Sequence, residues 1–519
     1  MEKRVRNIFS TNGRNTTINN LKKNIYISYL GQVVSVITGF LLSVVIVRNL
    51  EIQEFGEYSF LASAIVVLGI ITNFGLEGVL QRYVPEFLTK KKYGKVNNLI
   101  IITVLIRFIA LIILVFCLFF LYEYLKNIFA LTLGMTSFMV FLGILCTVKI
   151  KSLLGPALLA AYLQIYKEKI NFIFYRISKL IVFSYVVKNG FGLKEILIAW
   201  LIVELFSLSH FIYIVLKKIR ANENKVFLEP FTKNDTNKIF NFGKSQALGA
   251  ALFIFADIAV DNIMIGYFID QEAVAIYAFA MAILMLVSTV NPLIIFQGTF
   301  GSIFTRLYTR NNSLAQIKNY YIIIVKIGFV VTIPLFTILA INLENIIRII
   351  YSEKYLVAMP LIYLGILFMV IRSVKFGFTP LMMALEKNKL FVQAGVFSIY
   401  NLVGNLIFIP LFGTIGALIA TGSAGIMIFT FYLFQFKKVF QSAYFPWLNF
   451  FQIILFCLPL VIMGIILNQY IQSIYSLFSA IILELLLYCL TLYCFKVFTI
   501  KERKMINIQM GNNLIKKLK

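Results

Sequence analysis

Runs of about twenty apolar residues, each long enough to cross a bilayer as a helix, follow one another along almost the whole of this chain, and few folds can absorb them. They lie near residues 24–47, 58–81, 97–122, 130–163, 170–187, 195–216, 240–266, 273–298, 318–341, 355–385, 389–410, 414–436, 447–468 and 472–495. With 60% hydrophobic and 13% charged residues, and a mean hydropathy of +0.89, the chain falls outside the range of soluble proteins. The reading is an all-α polytopic membrane protein of about fourteen transmembrane helices. The first run is too long for the apolar core of a signal peptide and lacks a small-residue cleavage site, so it reads as a retained span. Cys117, Cys146, Cys457, Cys489 and Cys494 all fall in apolar runs without the spacing of a metal site, and read as packing residues.

A formal net charge of +26 raises the question of a nucleic-acid partner. Its placement answers it. If the N-terminus is cytoplasmic, the inner segments hold 34 of the 48 Lys+Arg and the outer loops hold 6. That asymmetry places both termini inside, with the basic face against anionic lipid and no nucleic acid needed.

The chain also repeats itself. Val44 to Ala64 is an apolar run, a short acidic interruption and a second apolar run, and Ile263 to Ile283 is a variant of it 219 residues later. Ile46 then falls on Ile265, Glu51 on Asp270, Tyr58 on Tyr277, and Arg107 on Lys326. A spacing held over several landmarks indicates a tandem duplication. Each copy holds an even number of spans, so the repeat is parallel, as in transporters whose substrate path lies between the halves. The organisation expected is a cytoplasmic N-terminus at 1–23, an N-lobe of six helices at 24–217, an inter-lobe loop at 218–239, a C-lobe of six helices at 240–438, two further helices at 446–495, and a basic cytoplasmic tail at 496–519.

Eight basic residues remain inside the spans: Arg107, Lys149, Lys151, Arg176, Lys179, Lys326, Arg372 and Lys375. Facing lipid at a helix centre each would cost about 2.5 to 3.5 kcal/mol, so they belong on an inner face. Arg176 with Lys179, and Arg372 with Lys375, are three apart and project together, whereas Lys149 and Lys151 cannot both face one way. Snorkelling or ion pairing is the competing account, most of all for Arg176 nearest the inner surface. As cavity cations they would bind an anionic headgroup, arginine offering paired donors to phosphate oxygens. The intramembrane acids are Glu77, Glu204, Asp257, Asp261 and Glu484. Asp257 and Asp261, four apart, read as one helix face that carries a coupling proton or sodium ion. No catalytic constellation, P-loop or metal cluster is present, so the chain reads as a transporter driven by a gradient, without a cofactor, and not as an enzyme.

Arg48-Asn49-Leu50, Glu54-Phe55-Gly56-Glu57-Tyr58, Asn73-Phe74-Gly75-Leu76 and Gln81-Arg82-Tyr83-Val84-Pro85-Glu86 resemble the opening of the polysaccharide repeat-unit flippases. Asp261-Asn262-Ile263-Met264-Ile265-Gly266 and Pro410-Leu411-Phe412-Gly413-Thr414-Ile415-Gly416-Ala417 continue the likeness, which spans roughly residues 24 to 438. Glu51 stands where such a flippase often has glycine. The resemblance implies two six-helix lobes around a central cavity and export of an undecaprenyl-diphosphate-linked oligosaccharide. It also implies a setting among membrane lipids beside a polysaccharide polymerase and glycosyltransferases. A multidrug-and-toxin-extrusion antiporter of the same superfamily would need an acidic cavity, and a membrane polymerase or acyltransferase a large outer loop.

Overall fold

The computed structural model describes residues 11–162, 164–223, 228–295, 314–373, 387–441 and 446–494, together with a few positions between and beyond these stretches. It is helical throughout the described residues. In chain order the helices are α1 Thr11–Asn49, α2 Ile52–Ile71, α3 Leu76–Thr89, α4 Tyr93–Phe120, α5 Met135–Ser152, α6 Ile165–Lys188, α7 Leu193–Glu223, α8 Lys233–Ile254, α9 Ile258–Phe268, α10 Gln271–Thr289, α11 Leu314–Ile341, α12 Met359–Ser373, α13 Asn388–Phe440, α14 Trp447–Phe456, α15 Leu458–Asn468 and α16 Ile474–Cys494. Helix α4 shows the membrane logic. Leu99, Ile100, Thr103, Arg107 and Leu111 form a buried stripe at helical spacing, while Phe108, Ile112 and Phe116 stand exposed as a lipid-facing surface does.

Twelve helical runs among the described residues are long and apolar enough to cross a membrane, and a bent pair makes a thirteenth. One of the twelve, Gln393–Phe440, is 48 residues long. It breaks at Gly413, whose φ of 60° and ψ of −140° are open to glycine and closed to other residues. Beyond the break the chain returns along itself: Thr421 Oγ1 donates to Asn401 Oδ1 at 3.2 Å, and a Cβ on Gly404 would lie 3.1 Å from that of Ala420. The fourteen spans expected from sequence therefore correspond to these elements only when this hairpin is taken as two crossings and the bent pair as one.

Two boundaries differ from the sequence reading. The run expected over 58–81 is two helices, because Phe74 (φ 46°) and Gly75 (φ 74°) adopt left-handed backbone between α2 and α3. Gly75 also lies against the Gly243 carbonyl, leaving no room for a side chain. The run expected over 240–266 bends by 54° between α8 and α9. At Gly155-Pro156 the chain forms a π-turn over Leu153–Ala157, the local adjustment that accommodates a proline without its N–H.

Contacts divide the chain into two compact units, Met1–Ala275 and Ile276–Lys519. In the first, α1 packs along α6, α7 against α5 and α6, and α9 against α2; in the second, α11 packs against α12, α14 and α15, and α15 against α16. The division falls within α10 because α9 is packed on α2. Helix bounds still echo the duplication: α2 and α10 begin 219 residues apart, and α4 and α11 begin 221 apart.

Candidate functional site

The first unit holds two polar clusters between its helices. In one, Arg107 of α4 is 1% exposed. It donates to the Gly69 carbonyl at 3.4 Å, Thr72 Oγ1 at 3.1 Å, Asn73 Oδ1 at 3.0 Å and Glu77 Oε1 at 3.1 Å. Ser152 Oγ donates to the same Glu77 oxygen at 2.8 Å. The break between α2 and α3 thus turns Thr72, Asn73 and Glu77 inward onto one guanidinium. Lys149 of α5 runs across α2 at Gly69, where a Cβ would lie 2.0 Å from Nζ. It sits within electrostatic range of both Glu77 and Arg107, without a carboxylate at ion-pair distance among the described residues.

The other cluster is built on Glu204 of α7, 2% exposed. Lys151 Nζ pairs with Glu204 Oε2. Tyr175 OH and Trp200 Nε1 donate to its Oε1 at 2.6 Å and 3.1 Å. Both oxygens of this carboxylate are engaged. Lys179, one turn along α6 from Tyr175, lies 4.0 Å from the Trp200 ring, 5.0 Å from Phe183 and 5.9 Å from Tyr58. It donates to Tyr58 OH at 3.4 Å and has no acid at ion-pair distance among the described residues. The aromatic faces supply the partial negative charge that a buried ammonium needs. Arg176 stacks over Phe172 at 5.1 Å, with a buried Nε that has no partner among the described residues.

The eight sequence-predicted cations therefore separate into kinds. Arg107, Lys151 and Lys326 are ion-paired, Lys326 with Glu502 at 2.6 Å. Lys149, Arg176 and Lys179 are held by helix packing and aromatic rings, with no acid in ion-pair contact among the described residues. Lys375 and the side chain of Arg372 lie outside the described residues. Lys149 and Lys151 do point apart, the first to α2 and the second to α7.

The helical face expected for Asp257 and Asp261 is not formed. The bend makes Asp257 the extended N-cap of α9, accepting from the Ala259 N–H at 2.9 Å, while Asp261 lies fully buried inside that helix. Sequence reasoning missed the cage of Tyr58, Tyr175 and Trp200. The only available signal was the spacing of four that joins Tyr175 to Lys179 and Trp200 to Glu204. It also missed two acids assigned to loops: Glu57, buried and accepting from Thr132 Oγ1 at 2.7 Å, and Glu502. Among the described residues no group of three His, Cys, Asp or Glu side chains could hold a metal ion.

A family model described as "Polysaccharide biosynthesis protein" matches residues 21–296. The chain is 23% identical over 401 residues to an uncharacterized membrane protein of Methanocaldococcus jannaschii, covering 73% of this chain and 76% of that protein. In structure it is similar to the lipid II flippase MurJ in an inward closed conformation, with a TM-score of 0.66 and 14% identity over 94% of this chain and 99% of that one. An inward-facing multidrug resistance transporter of the MATE family, within the MOP superfamily, matches with a TM-score of 0.63 and 12% identity over 80% of this chain and 96% of that one. Identities this low speak for the fold alone.

Proposed function

The chain belongs to the polysaccharide biosynthesis protein family, and from that premise we propose that it is a flippase for an undecaprenyl-diphosphate-linked oligosaccharide repeat unit in the bacterial cytoplasmic membrane. The observation that carries this reading is the set of three intramembrane cations, Lys149, Arg176 and Lys179, that lack an acid in ion-pair contact among the described residues. Cations inside a membrane are tolerated when water, acids or an anionic ligand offset them, and a diphosphate is such a ligand. The neighbouring acids, Glu77 and Glu204, already hold Arg107 and Lys151, which argues against a cation exporter.

The lobes at 24–217 and 240–438 alternate access to the headgroup while the polyprenyl tail stays in lipid, and residues 446–495 add two helices outside the repeat. Both termini lie in the cytoplasm. A proton or sodium gradient drives the cycle, with Asp257 and Asp261 as coupling groups, and the chain performs no catalysis of its own. The polymerase and glycosyltransferases of the same polysaccharide are its working partners. The test is export. Lys149→Ala, Lys179→Ala, Arg372→Ala and Lys375→Ala should each lower surface polysaccharide several-fold at unchanged protein level in the membrane. Parental export from all four variants would overturn the anionic-substrate reading.

A further inference from the structure

Glu484 lies midway along α16, fully buried. Its partner among the described residues is one amide: Asn342, at the end of α11, places Nδ2 3.1 Å from Oε1 and 2.8 Å from Oε2. No Lys, Arg or His is at ion-pair distance among the described residues. Gly464 of α15 makes the notch that receives the carboxyl, since a Cβ there would lie 2.8 Å from Oε1 and 2.6 Å from Ile341 Cγ2. Asn342 is itself fully buried. Its Nδ2 also donates to the Ile338 carbonyl at 3.1 Å, while its Oδ1 has no partner among the described residues.

As an ionised carboxylate this arrangement fails twice. A full negative charge sits in the membrane interior against a single neutral donor, and a buried amide oxygen beside it faces no proton. One added proton repairs both faults. With the proton on one carboxyl oxygen, that O–H donates to Asn342 Oδ1 after a small turn of the amide, while Nδ2–H keeps the other carboxyl oxygen and the Ile338 carbonyl. The result is a cyclic acid–amide pair in which every polar atom is satisfied.

We propose that Glu484 and Asn342 form a proton-binding site, occupied by one exchangeable proton, that joins α16 to the end of α11. Further polar groups lie beside the pair. Half-buried Asn345 donates to Asn468 Oδ1 at 3.1 Å, and Asn468 donates to the Ile341 carbonyl at 2.8 Å, continuing the polar groups away from the pair. The other titratable groups on the packed elements are engaged elsewhere or outside the notch. Tyr488, one turn along α16, donates to the Val330 carbonyl at 2.8 Å. Cys457 is buried between α14 and α15, and Cys489 is exposed. Glu344 and Arg348 pair with each other at 2.9 Å on the surface. The site is independent of the substrate assigned to the protein.

Infrared spectroscopy of the purified protein in lipid tests it, comparing wild type with Glu484→Gln at neutral pH with and without sodium. A carboxylic-acid C=O band that shifts in deuterated water and is lost in the variant is the expected result. Glu484→Gln should also accumulate and unfold like wild type, because an amide–amide pair of the same shape replaces the acid–amide pair. Three results would overturn the proposal. The band is missing from wild type in both media; sodium abolishes it, which assigns the site to the metal cation; or Glu484→Gln fails to accumulate, which shows that the negative charge itself is required.

Discussion

Replacing Arg107 separates a structural cation from a substrate-binding one. Arg107→Met keeps much of the apolar stem and removes four donor contacts at 3.0 to 3.4 Å. Breaking a buried ion pair by deleting one partner costs about 3 to 5 kcal/mol when the remaining charge stays buried. Here the remaining charge is Glu77, whose side chain is 34% exposed and keeps its bond from Ser152, so the cost belongs at the low end, about 3 kcal/mol. That is roughly a hundredfold in the folding equilibrium. Glu77→Gln in the same background removes the uncompensated charge and should return about 1 to 2 kcal/mol. The assay is reversible unfolding of the purified protein in mixed micelles, run as a double-mutant cycle with protein in the membrane measured in parallel. A loss under about 1 kcal/mol for Arg107→Met, or no rescue by Glu77→Gln, would refute the assignment of Arg107 as a packing cation.

Gly69→Ala should push the flexible end of Lys149 off α2 and lower export more than it lowers protein level; equal falls in both would make Gly69 a packing residue. Lys95→Met should expose the segment around Glu229 and Asp235 to added protease several-fold faster, since Lys95 holds them at 3.7 Å and 2.6 Å; an unchanged cleavage rate would show that other contacts anchor it. Asp257→Asn should leave unfolding unchanged, asparagine being as good an N-cap as aspartate, yet slow gradient-driven transport more than substrate binding; normal transport would leave Asp257 a cap alone. Reporters fused after Lys438 and in the loop at Asp270 should be active in the cytoplasm and outside, respectively, and the reverse pattern would sink the proposed topology.

Elements that depend on length and hydropathy alone were legible before any coordinates. The run read at 447–468 is α14 with α15 over the same residues, and the run read at 472–495 is α16 to within two residues. A bilayer demands a fixed apolar length and complete backbone hydrogen bonding, and both are properties of local sequence. The recurring 219-residue spacing was legible for a similar reason, because it is a pattern along the chain.

What escaped was everything set by backbone departures and by distant partners. Nothing in the pattern around Phe74-Gly75 or Asp257 announces that a helix stops there, since the apolar run continues through each break. Arg107 and Lys326 read as equivalent cavity cations; each is instead neutralised, by Glu77 across the α2–α3 break and by Glu502 from a tail that reads as a basic surface segment. Hydropathy reports the cost of placing a charge in the membrane. Only the tertiary structure decides what offsets that cost, because the offsetting acid, amide or aromatic ring comes from another helix: a carboxylate for Arg107, Tyr58 and Trp200 for Lys179, and Asn342 for Glu484.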